Sequence, residues 1–221
     1  MLLKRSLFWR LVVGCILALN LAGCSVLYPV DPATRLVFQD DFRDPQSGWP
    51  VQESWQGQVG YRQERYEMKI IAPGANLSAA LPAGYQFPAD LEIQVNARLL
   101  SGPQDNRFGV ICRYQDPLNY YWFIISSDGY YGIGKTKAGE TRLIQDAQMP
   151  PSEKISRGDQ PTHFRVECVG DRLTLYINEN LLGERHDSDF SAGGIGFLVG
   201  ASSQPDVQVA FEQLLVREVA K

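Results

Sequence analysis

The chain has 221 residues, of which 44% are hydrophobic and 21% charged, a composition typical of a soluble globular protein of about one domain. Its formal charge of −4 argues against a nucleic-acid partner, because nucleic-acid affinity comes mostly from clustered Lys and Arg. The chain has only two histidines, His163 and His186. Histidine-based metal sites, catalytic triads and proton relays therefore have few residues to draw on.

The first 23 residues have the organisation of a signal peptide. Three basic residues and no acid precede an apolar run from Leu11 to Ala22, which is well short of the ~20 residues that a membrane-spanning helix needs. The run ends in Leu21-Ala22-Gly23-Cys24, which resembles the lipobox of bacterial lipoproteins. The resemblance implies cleavage before Cys24 and diacylation of its sulfur. Val12-Val13-Gly14-Cys15 satisfies a looser lipobox, but cleavage there would leave too short an apolar run after Arg10.

These features predict a signal peptide over residues 1–23, a lipidated tether over 24–33 and a folded domain over 34–221. Without residues 1–23 the chain keeps 18 Lys and Arg against 25 Asp and Glu, a formal charge of −7. An acidic domain is repelled by an anionic membrane, so attachment should depend on the acyl chains. We expect a lipid anchor in the cell membrane or, since Ser25 is not an Asp retention signal, in an outer membrane, with the domain outside the cytoplasm.

From Leu36 onward, apolar residues alternate with polar ones or form short runs between turn signals, without the period of an amphipathic helix. The predicted strands are Leu36–Phe42, Gly60–Ile71, Ala89–Leu100, Arg107–Gln115, Tyr120–Ser127, Tyr130–Lys137, Thr141–Gln145, His163–Val169, Arg172–Ile177, Leu181–His186, Gly194–Gly200 and Val207–Val216. Turn residues such as Ser127-Asp128-Gly129 and Val169-Gly170-Asp171 separate them. The pattern predicts an all-β, two-sheet antiparallel jelly-roll sandwich.

The order of several short motifs resembles concanavalin A-like lectin/glucanase jelly rolls. The motifs are Gln39–Phe42, Ser47–Pro50, Phe108–Tyr114, Asn119–Phe123, Asp128–Tyr131, Leu173–Asn178 and Gly193–Phe197. Within that superfamily the chain is most similar to laminin G-like and 3-keto-disaccharide hydrolase-like bacterial domains. The resemblance implies the fold more than the function, because this fold carries lectins, glycosidases and adhesive modules alike.

Cys112 and Cys168 each follow apolar residues two and four positions earlier in their strands. Both side chains should therefore point into the same interior. In an exported protein this placement favours a disulfide, which would stabilise the domain by roughly 4 kcal/mol on the chain-entropy model. Two buried free thiols are the alternative.

A candidate ligand-binding face combines aromatic rings with polar groups, as sugar-binding surfaces do. Alternation along the strand places one set of side chains, Tyr121, Phe123 and Ile125, on one face and the other set, Tyr120, Trp122 and Ile124, on the opposite face. If Cys112 points to the core, Arg113 points outward. The predicted outer face contains Arg113, Tyr120, Trp122, Tyr131 and Lys135. The alternative is that these aromatic residues fill or cap the sandwich, since aromatic residues are common in strands.

Two features near the start of the domain have structural and functional interpretations. Asp40, Asp41 and Asp44 could supply oxygen ligands to a structural Ca²⁺, although three nearby acids are more often a solvated turn. Trp49 and Trp55 flank a turn-rich segment, and we expect one or both indoles to fix this loop to the core.

The sequence contains none of the common local catalytic motifs considered below. The chain lacks the Glu-x-Asp-x-x-Glu strand of laminarinase-like glycosidases, and Glu64, Glu67 and Glu92 have the wrong phase or partners. It also lacks a nucleophile elbow and a phosphate-binding Gly-rich loop. An active site assembled from distant residues remains an alternative.

The favoured function is that of a cell-envelope lipoprotein whose domain binds carbohydrate without catalysis and without a cofactor, other than a possible structural calcium. One alternative is a glycoside-cleaving enzyme of the 3-keto-disaccharide hydrolase-like group, with dispersed acids and a bound metal. The other is a structural or protein-binding jelly roll. Convergent carboxylates or an ion on the concave face would favour the enzyme, and an aromatic strip would favour the binding module.

Overall fold

The computed structural model describes residues 34–81 and 85–220, which contain fifteen β-strands and no α-helix. The strands are β1 (Thr34–Asp40), β2 (Gln52–Glu53), β3 (Gly57–Arg62), β4 (Arg65–Ile70), β5 (Asn76–Ala80), β6 (Leu91–Ser101), β7 (Arg107–Asp116), β8 (Asn119–Ile125), β9 (Tyr131–Lys137), β10 (Glu140–Leu143), β11 (Thr162–Val169), β12 (Arg172–Ile177), β13 (Asn180–His186), β14 (Gly194–Gly200) and β15 (Val207–Val219). The predicted signal peptide, Cys24 and the tether lie outside the described residues.

The strands form two antiparallel sheets, which confirms the predicted jelly-roll sandwich. The nine-stranded sheet has the order β13-β12-β11-β6-β15-β4-β3-β2, and β1 also pairs with β15. The six-stranded sheet has the order β10-β9-β8-β7-β14-β5. All described residues belong to a single compact unit. No helix in the described part of the chain is long and apolar enough to cross a membrane.

Alternation along the strands produces the core between the sheets. Leu91, Ile93 and Val95 of β6 point inward from the nine-stranded sheet, and Phe123 and Ile125 of β8 point inward from the six-stranded sheet. Burial of these branched and aromatic side chains supplies most of the favourable free energy of folding. The core therefore holds the two sheets face to face.

A disulfide between Cys112 of β7 and Cys168 of β11 crosses this core. Both cysteines are fully buried, as their phase in the sequence predicted. The bond joins the two sheets covalently and confirms the predicted pairing.

Strand β15 is the central element of the larger sheet. One edge of β15 pairs with β6 along most of its length. The other edge is shared, since Val207–Phe211 pairs with β4 and Leu214–Val219 pairs with β1. The first and last described strands are thus neighbours.

Three elements differ from the prediction, one of them the short strand β2, which was not predicted and pairs with β3. Residues 60–71 form a hairpin rather than one strand, because Gln63 and Glu64 both adopt positive φ in a tight turn between β3 and β4. Strand β5 was not predicted, although it pairs with β14 from Asn76 to Ala80. Gly74 and Pro73 just before it gave that segment the appearance of a loop.

Candidate functional site

The alternation predicted for β8 is confirmed. Tyr121 and Phe123 lie in the main core, whereas Tyr120 and Trp122 lie on the opposite face of the six-stranded sheet. There they form a second apolar cluster with Ile111 and other residues of the same face. The core-facing and outward-facing aromatic residues of this strand were thus separated correctly from the sequence.

Arg113 does not point outward, and its predicted place on this face is wrong. A β-bulge interrupts β7 after Cys112, and Arg113 adopts a φ of 50°. This conformation moves the side chain into the end of the sandwich, where it is 1% exposed. The guanidinium donates to the carbonyl oxygens of Gly170 at 2.8 Å and Phe190 at 2.9 Å. Arg113 therefore joins three chain segments at one end of the domain instead of facing solvent.

Tyr131 and Lys135 are also absent from the outer face. In the β8–β9 ladder, Lys135 lies opposite Tyr121, and Tyr131 lies opposite Ile125. Residues opposite each other in a ladder project to the same side of the sheet, and Tyr121 and Ile125 are core residues. Of the five predicted ligand-binding residues, the structure thus brings only Tyr120 and Trp122 together; whether these contact a ligand stays a prediction.

Lys135 instead takes part in an ion network that holds the β13–β14 loop. Its ammonium donates to carboxylate oxygens of Asp187 and Asp189. The hydroxyl of Tyr121 donates to the other oxygen of Asp187 at 2.6 Å and accepts from the amide of Phe190 at 3.0 Å. Burial alone would raise the pKa of Asp187, but hydrogen bonds from Lys135 and Tyr121 outweigh it and lower that pKa. The loop is therefore tied to β8 and β9 by charge.

Trp122 is seated over a glycine on the outer face. A Cβ at Gly134 would lie 2.1 Å from the indole ring, so only glycine leaves room for it. Leu143 and Met149 pack against the same cluster. The indole Nε1–H is buried and has no hydrogen-bond partner within the described residues. A buried donor without a partner carries an energetic cost that an acceptor from a ligand would remove.

The bulge at Arg113 has a second consequence, because it returns Tyr114 to the outer face. The ring of Tyr114 lies 5.8 Å from that of Tyr120. Beside it the surface opens into a cavity of about 340 Å³. Its lining consists of Leu81, Tyr85, Gln86, Phe87, Tyr114, Gln115, Gly193 and Gly194. We call this cavity the end pocket.

The walls of the end pocket are fixed by neighbouring elements. The rings of Tyr85 and Phe87 each contact Phe38 of β1 edge-to-face at 5.7 Å. The Tyr85 hydroxyl donates to the carbonyl of Ser47 at 2.8 Å. At Gly193, with a φ of 153°, a Cβ would meet the backbone of Arg113 at 2.5 Å, so the loop can approach the bulge only with glycine. These contacts hold the pocket open before any ligand binds.

The lining of the end pocket is neutral and amphipathic. Three aromatic rings offer apolar faces, two of them with hydroxyl groups, and the amides of Gln86 and Gln115 can each donate and accept hydrogen bonds. Burial raises the pKa of Tyr114, and nearby Asp116 and Tyr120 raise it further, so its hydroxyl stays protonated. This arrangement suits a neutral ligand that carries both hydroxyl groups and C–H surface.

Carboxylates do converge in the structure, but on the other sheet. Glu92 of β6 and Glu167 of β11 lie opposite each other on the outer face of the nine-stranded sheet. Arg165 Nη1 lies 2.5 Å from Glu167 and 3.7 Å from Glu92. Burial raises the pKa of Glu92, while a hydrogen bond from Gln94 and the charge of Arg165 partly oppose the shift. These acids are therefore held in a buried polar network and do not line the end pocket.

The three acids considered for calcium are not brought together. Asp40 accepts hydrogen bonds from the Trp49 indole at 3.0 Å, the Ser47 hydroxyl and the Phe42 amide. Asp41 and Asp44 each accept from a backbone amide two residues later, as turn residues commonly do. The described residues contain no cluster of three or more such ligands. Asp40 therefore positions Trp49, which stacks on Phe197 and fixes the loop to the core as predicted.

Comparison with known proteins defines the fold. No protein-family model matches the chain, and no curated protein matches it. Among solved structures, a Bacillus subtilis protein of unknown function with a galectin-like fold has a TM-score of 0.59 at 12% identity, over 84% of this chain and 97% of that one. The carbohydrate binding module CBM66 from Bacillus subtilis has a TM-score of 0.50 at 18% identity, over 77% and 95%. The catalytic domain of an endo-1,3-beta-glucanase (laminarinase) from Thermotoga petrophila has a TM-score of 0.55 at 10% identity, over 85% and 99%.

Proposed function

We propose that this domain binds a neutral carbohydrate in the end pocket without catalysing a reaction on it. The observation that carries the proposal is one open cavity lined by Tyr85, Phe87 and Tyr114 together with the amides of Gln86 and Gln115. Aromatic faces cover the C–H surface of a sugar ring, and planar amides bind its hydroxyl groups. The carbohydrate-binding modules and glycoside hydrolases that share this fold are consistent with such a ligand.

None of the five predicted ligand-binding residues lines the end pocket, but Tyr120 and Trp122 belong to the apolar cluster beside it. Tyr120 packs beside Tyr114 and supports the wall of the pocket. Trp122 lies in the same apolar cluster, and its unpartnered Nε1 is a further donor on this face. A ligand longer than one sugar would extend from the end pocket toward these two residues.

We also propose that the domain is displayed outside the cytoplasm by a lipid on Cys24. The lipobox Leu21–Cys24 supports this location, and the nine residues from Ser25 to Ala33 are enough for a short tether. Labelling with radioactive palmitate tests it. Wild-type protein should take up the label and partition into detergent, and a Cys24→Ala variant that still does both would contradict the proposal.

The function is tested by a glycan array followed by titration of the retained glycan into the full chain in detergent. Tyr114→Ala should weaken binding at least five- to tenfold, since a stacked ring contributes about 1 kcal/mol or more beyond burial of its area. Tyr130→Ala, which removes a partly exposed ring from another turn, should leave affinity unchanged. Retention of no glycan by the wild type, or equal affinity in the two variants, would refute the proposed function.

The adjacent Glu92 and Glu167 support one alternative, a glycoside hydrolase with its site on the nine-stranded sheet. Release of reducing ends from a retained glycan, abolished in Glu92→Gln, would establish that alternative. Absence of release, with binding lost in Tyr114→Ala, would favour the binding module.

A further inference from the structure

The hairpin between β2 and β3 exposes a tryptophan. The Trp55 side chain is 78% exposed and makes no hydrogen bond or ring contact within residues 34–81 and 85–220. Of the two indoles, that of Trp49 therefore fixes the loop to the core, and that of Trp55 does not. An indole carries a large apolar area, so leaving it in water costs free energy that burial would recover.

The backbone that carries Trp55 is firmly held. Ser54 and Gly57 exchange two backbone hydrogen bonds, at 2.9 and 3.2 Å, across the turn. The carbonyl of Gln56 accepts from the amides of Ile71 at 2.8 Å and Ala72 at 3.3 Å. The turn therefore presents the indole in one place, which lowers the entropy that a ligand must overcome to stack on it.

The surface beside the hairpin is amide-rich and neutral. A groove of about 540 Å³ runs along it, with a lining that includes Val51, Gln52, Glu53, Gln58, Tyr61 and Arg62. Arg62 donates to the side-chain oxygen of Gln58 at 2.8 Å, which orients that amide. One carboxylate and one guanidinium balance each other, so the groove does not select a charged ligand. Amides beside an aromatic ring bind hydroxyl groups and C–H surface together, as the end pocket does.

The turn that carries Trp55 is separate from the end pocket, whereas the groove beside the hairpin reaches toward it. Gly57 pairs with Ile70, which in turn pairs with Val207 at the beginning of β15. The end pocket rests on Phe38, which pairs with Val216. These positions lie nine residues apart along β15, but Tyr61 in the groove and Tyr85 in the end pocket both hydrogen-bond to Ser47. Thr34, the described residue nearest to Cys24, pairs with Val219 and so lies at the end-pocket side.

We propose that Trp55 and the adjoining groove form a second binding site for a neutral polysaccharide, separate from the end pocket. The inference rests on the proposed function and extends it to polymeric ligands. A long chain that occupies both sites, or two chains, binds more strongly than a short oligosaccharide that occupies only one of them. Soluble oligosaccharides of a few residues should accordingly depend on the end pocket alone.

The test measures retention of the full chain, in detergent, on laminarin, xylan and mixed-linkage β-glucan and on any glycan found on the array. Trp55→Ala should weaken retention on the polymer about five- to tenfold and leave affinity for a short oligosaccharide unchanged. Trp55→Tyr should restore most of the retention because it restores a ring. Tyr130→Ala is the matched control for an exposed aromatic residue. Equal melting temperatures for wild type and Trp55→Ala would show that the variant is folded.

Three outcomes would overturn the inference, and they are distinguishable. Wild-type polymer retention in Trp55→Ala, together with weakened binding in Tyr114→Ala, would remove the second site but keep the proposed function. If the wild type bound no glycan at all, both the second site and the proposed function would be refuted. A third outcome is that the wild type, but not Trp55→Ala, binds glycan-free phosphatidylglycerol vesicles while both proteins are retained equally on polymer. This outcome would identify the turn that carries Trp55 as a membrane contact.

Discussion

The guanidinium of Arg113 and the carbonyl of Phe190 join β7 to the β13–β14 loop through a 2.9 Å hydrogen bond. The same nitrogen donates to Gly170, and Asp90 lies 3.7 Å from the guanidinium. A side chain that the alternation pattern assigns to solvent is therefore a buried junction at one end of the sandwich.

Arg113→Ala should destabilise the domain strongly. The change leaves buried carbonyl oxygens without donors and Asp90 without its cation, a defect that costs about 3–5 kcal/mol. Thermal unfolding measures the effect, and Arg142→Ala, at an exposed arginine, is the control. A melting temperature equal to that of the control would contradict the role assigned to Arg113.

Removal of the Cys112–Cys168 disulfide should lower stability and leave the ligand sites intact. The bond encloses a sequence separation of 56 residues, for which the chain-entropy model gives about 4 kcal/mol. Cys112→Ala/Cys168→Ala is compared with the oxidised wild type by denaturant unfolding, and glycan affinity is measured below the transition. Unchanged stability would show that the bond is not formed in the protein as purified.

Glu92→Gln should stabilise the protein at neutral pH. Burial raises the pKa of Glu92 in the folded state, so the stability that this group contributes is complete below its unfolded pKa of about 4.3 and is lost as pH rises through the folded pKa. Gln cannot ionise, so the variant should melt above the wild type at pH 7, with the difference shrinking toward pH 4. Glu140→Gln, at an exposed carboxylate, should show no such pH-dependent difference.

Asp187→Asn should have the opposite pH dependence. The pKa of Asp187 is lowered in the folded state, so its contribution is present above the unfolded value of about 3.9 and is lost as pH falls through the folded pKa. We expect a loss of about 1–2 kcal/mol at pH 7 that diminishes by pH 2 to 3. Asp159→Asn serves as the exposed control, and a pH-independent loss in Asp187→Asn would argue against the ion pair with Lys135.

The sheet faces were predictable where side chains alternate without interruption. Cys112, Cys168, Tyr121 and Phe123 all point to the core, as the period of two requires. Arg113 breaks the alternation because a bulge follows Cys112, and no glycine or proline next to it marks the bulge. The signal lies far away in the sequence, at Gly193, whose lack of a side chain admits the bulged backbone.

Which residues of β9 face the core is decided by the register of β9 with β8, which the hairpin between them fixes. Alternation within a strand gives two sets of residues, but the register with the neighbouring strand decides which set is buried. Lys135 pairs with Tyr121, so it is directed inward. The end pocket was harder still to predict, because Tyr85 and Gln86 come from a connection between strands and meet Tyr114 only in the folded chain.

The position of β15 between β6 and the pair β4 and β1 affects how this protein reaches its native state. During synthesis, every partner of β15 leaves the ribosome earlier than Val207–Val219. Until that segment arrives, β1 lacks its neighbour, and the larger sheet exists as separate hairpin groups with unpaired edges. Such a chain gains native stability late and exposes aggregation-prone strands on the way. Premature termination within β15 would therefore remove a central strand of the larger sheet and not an edge strand.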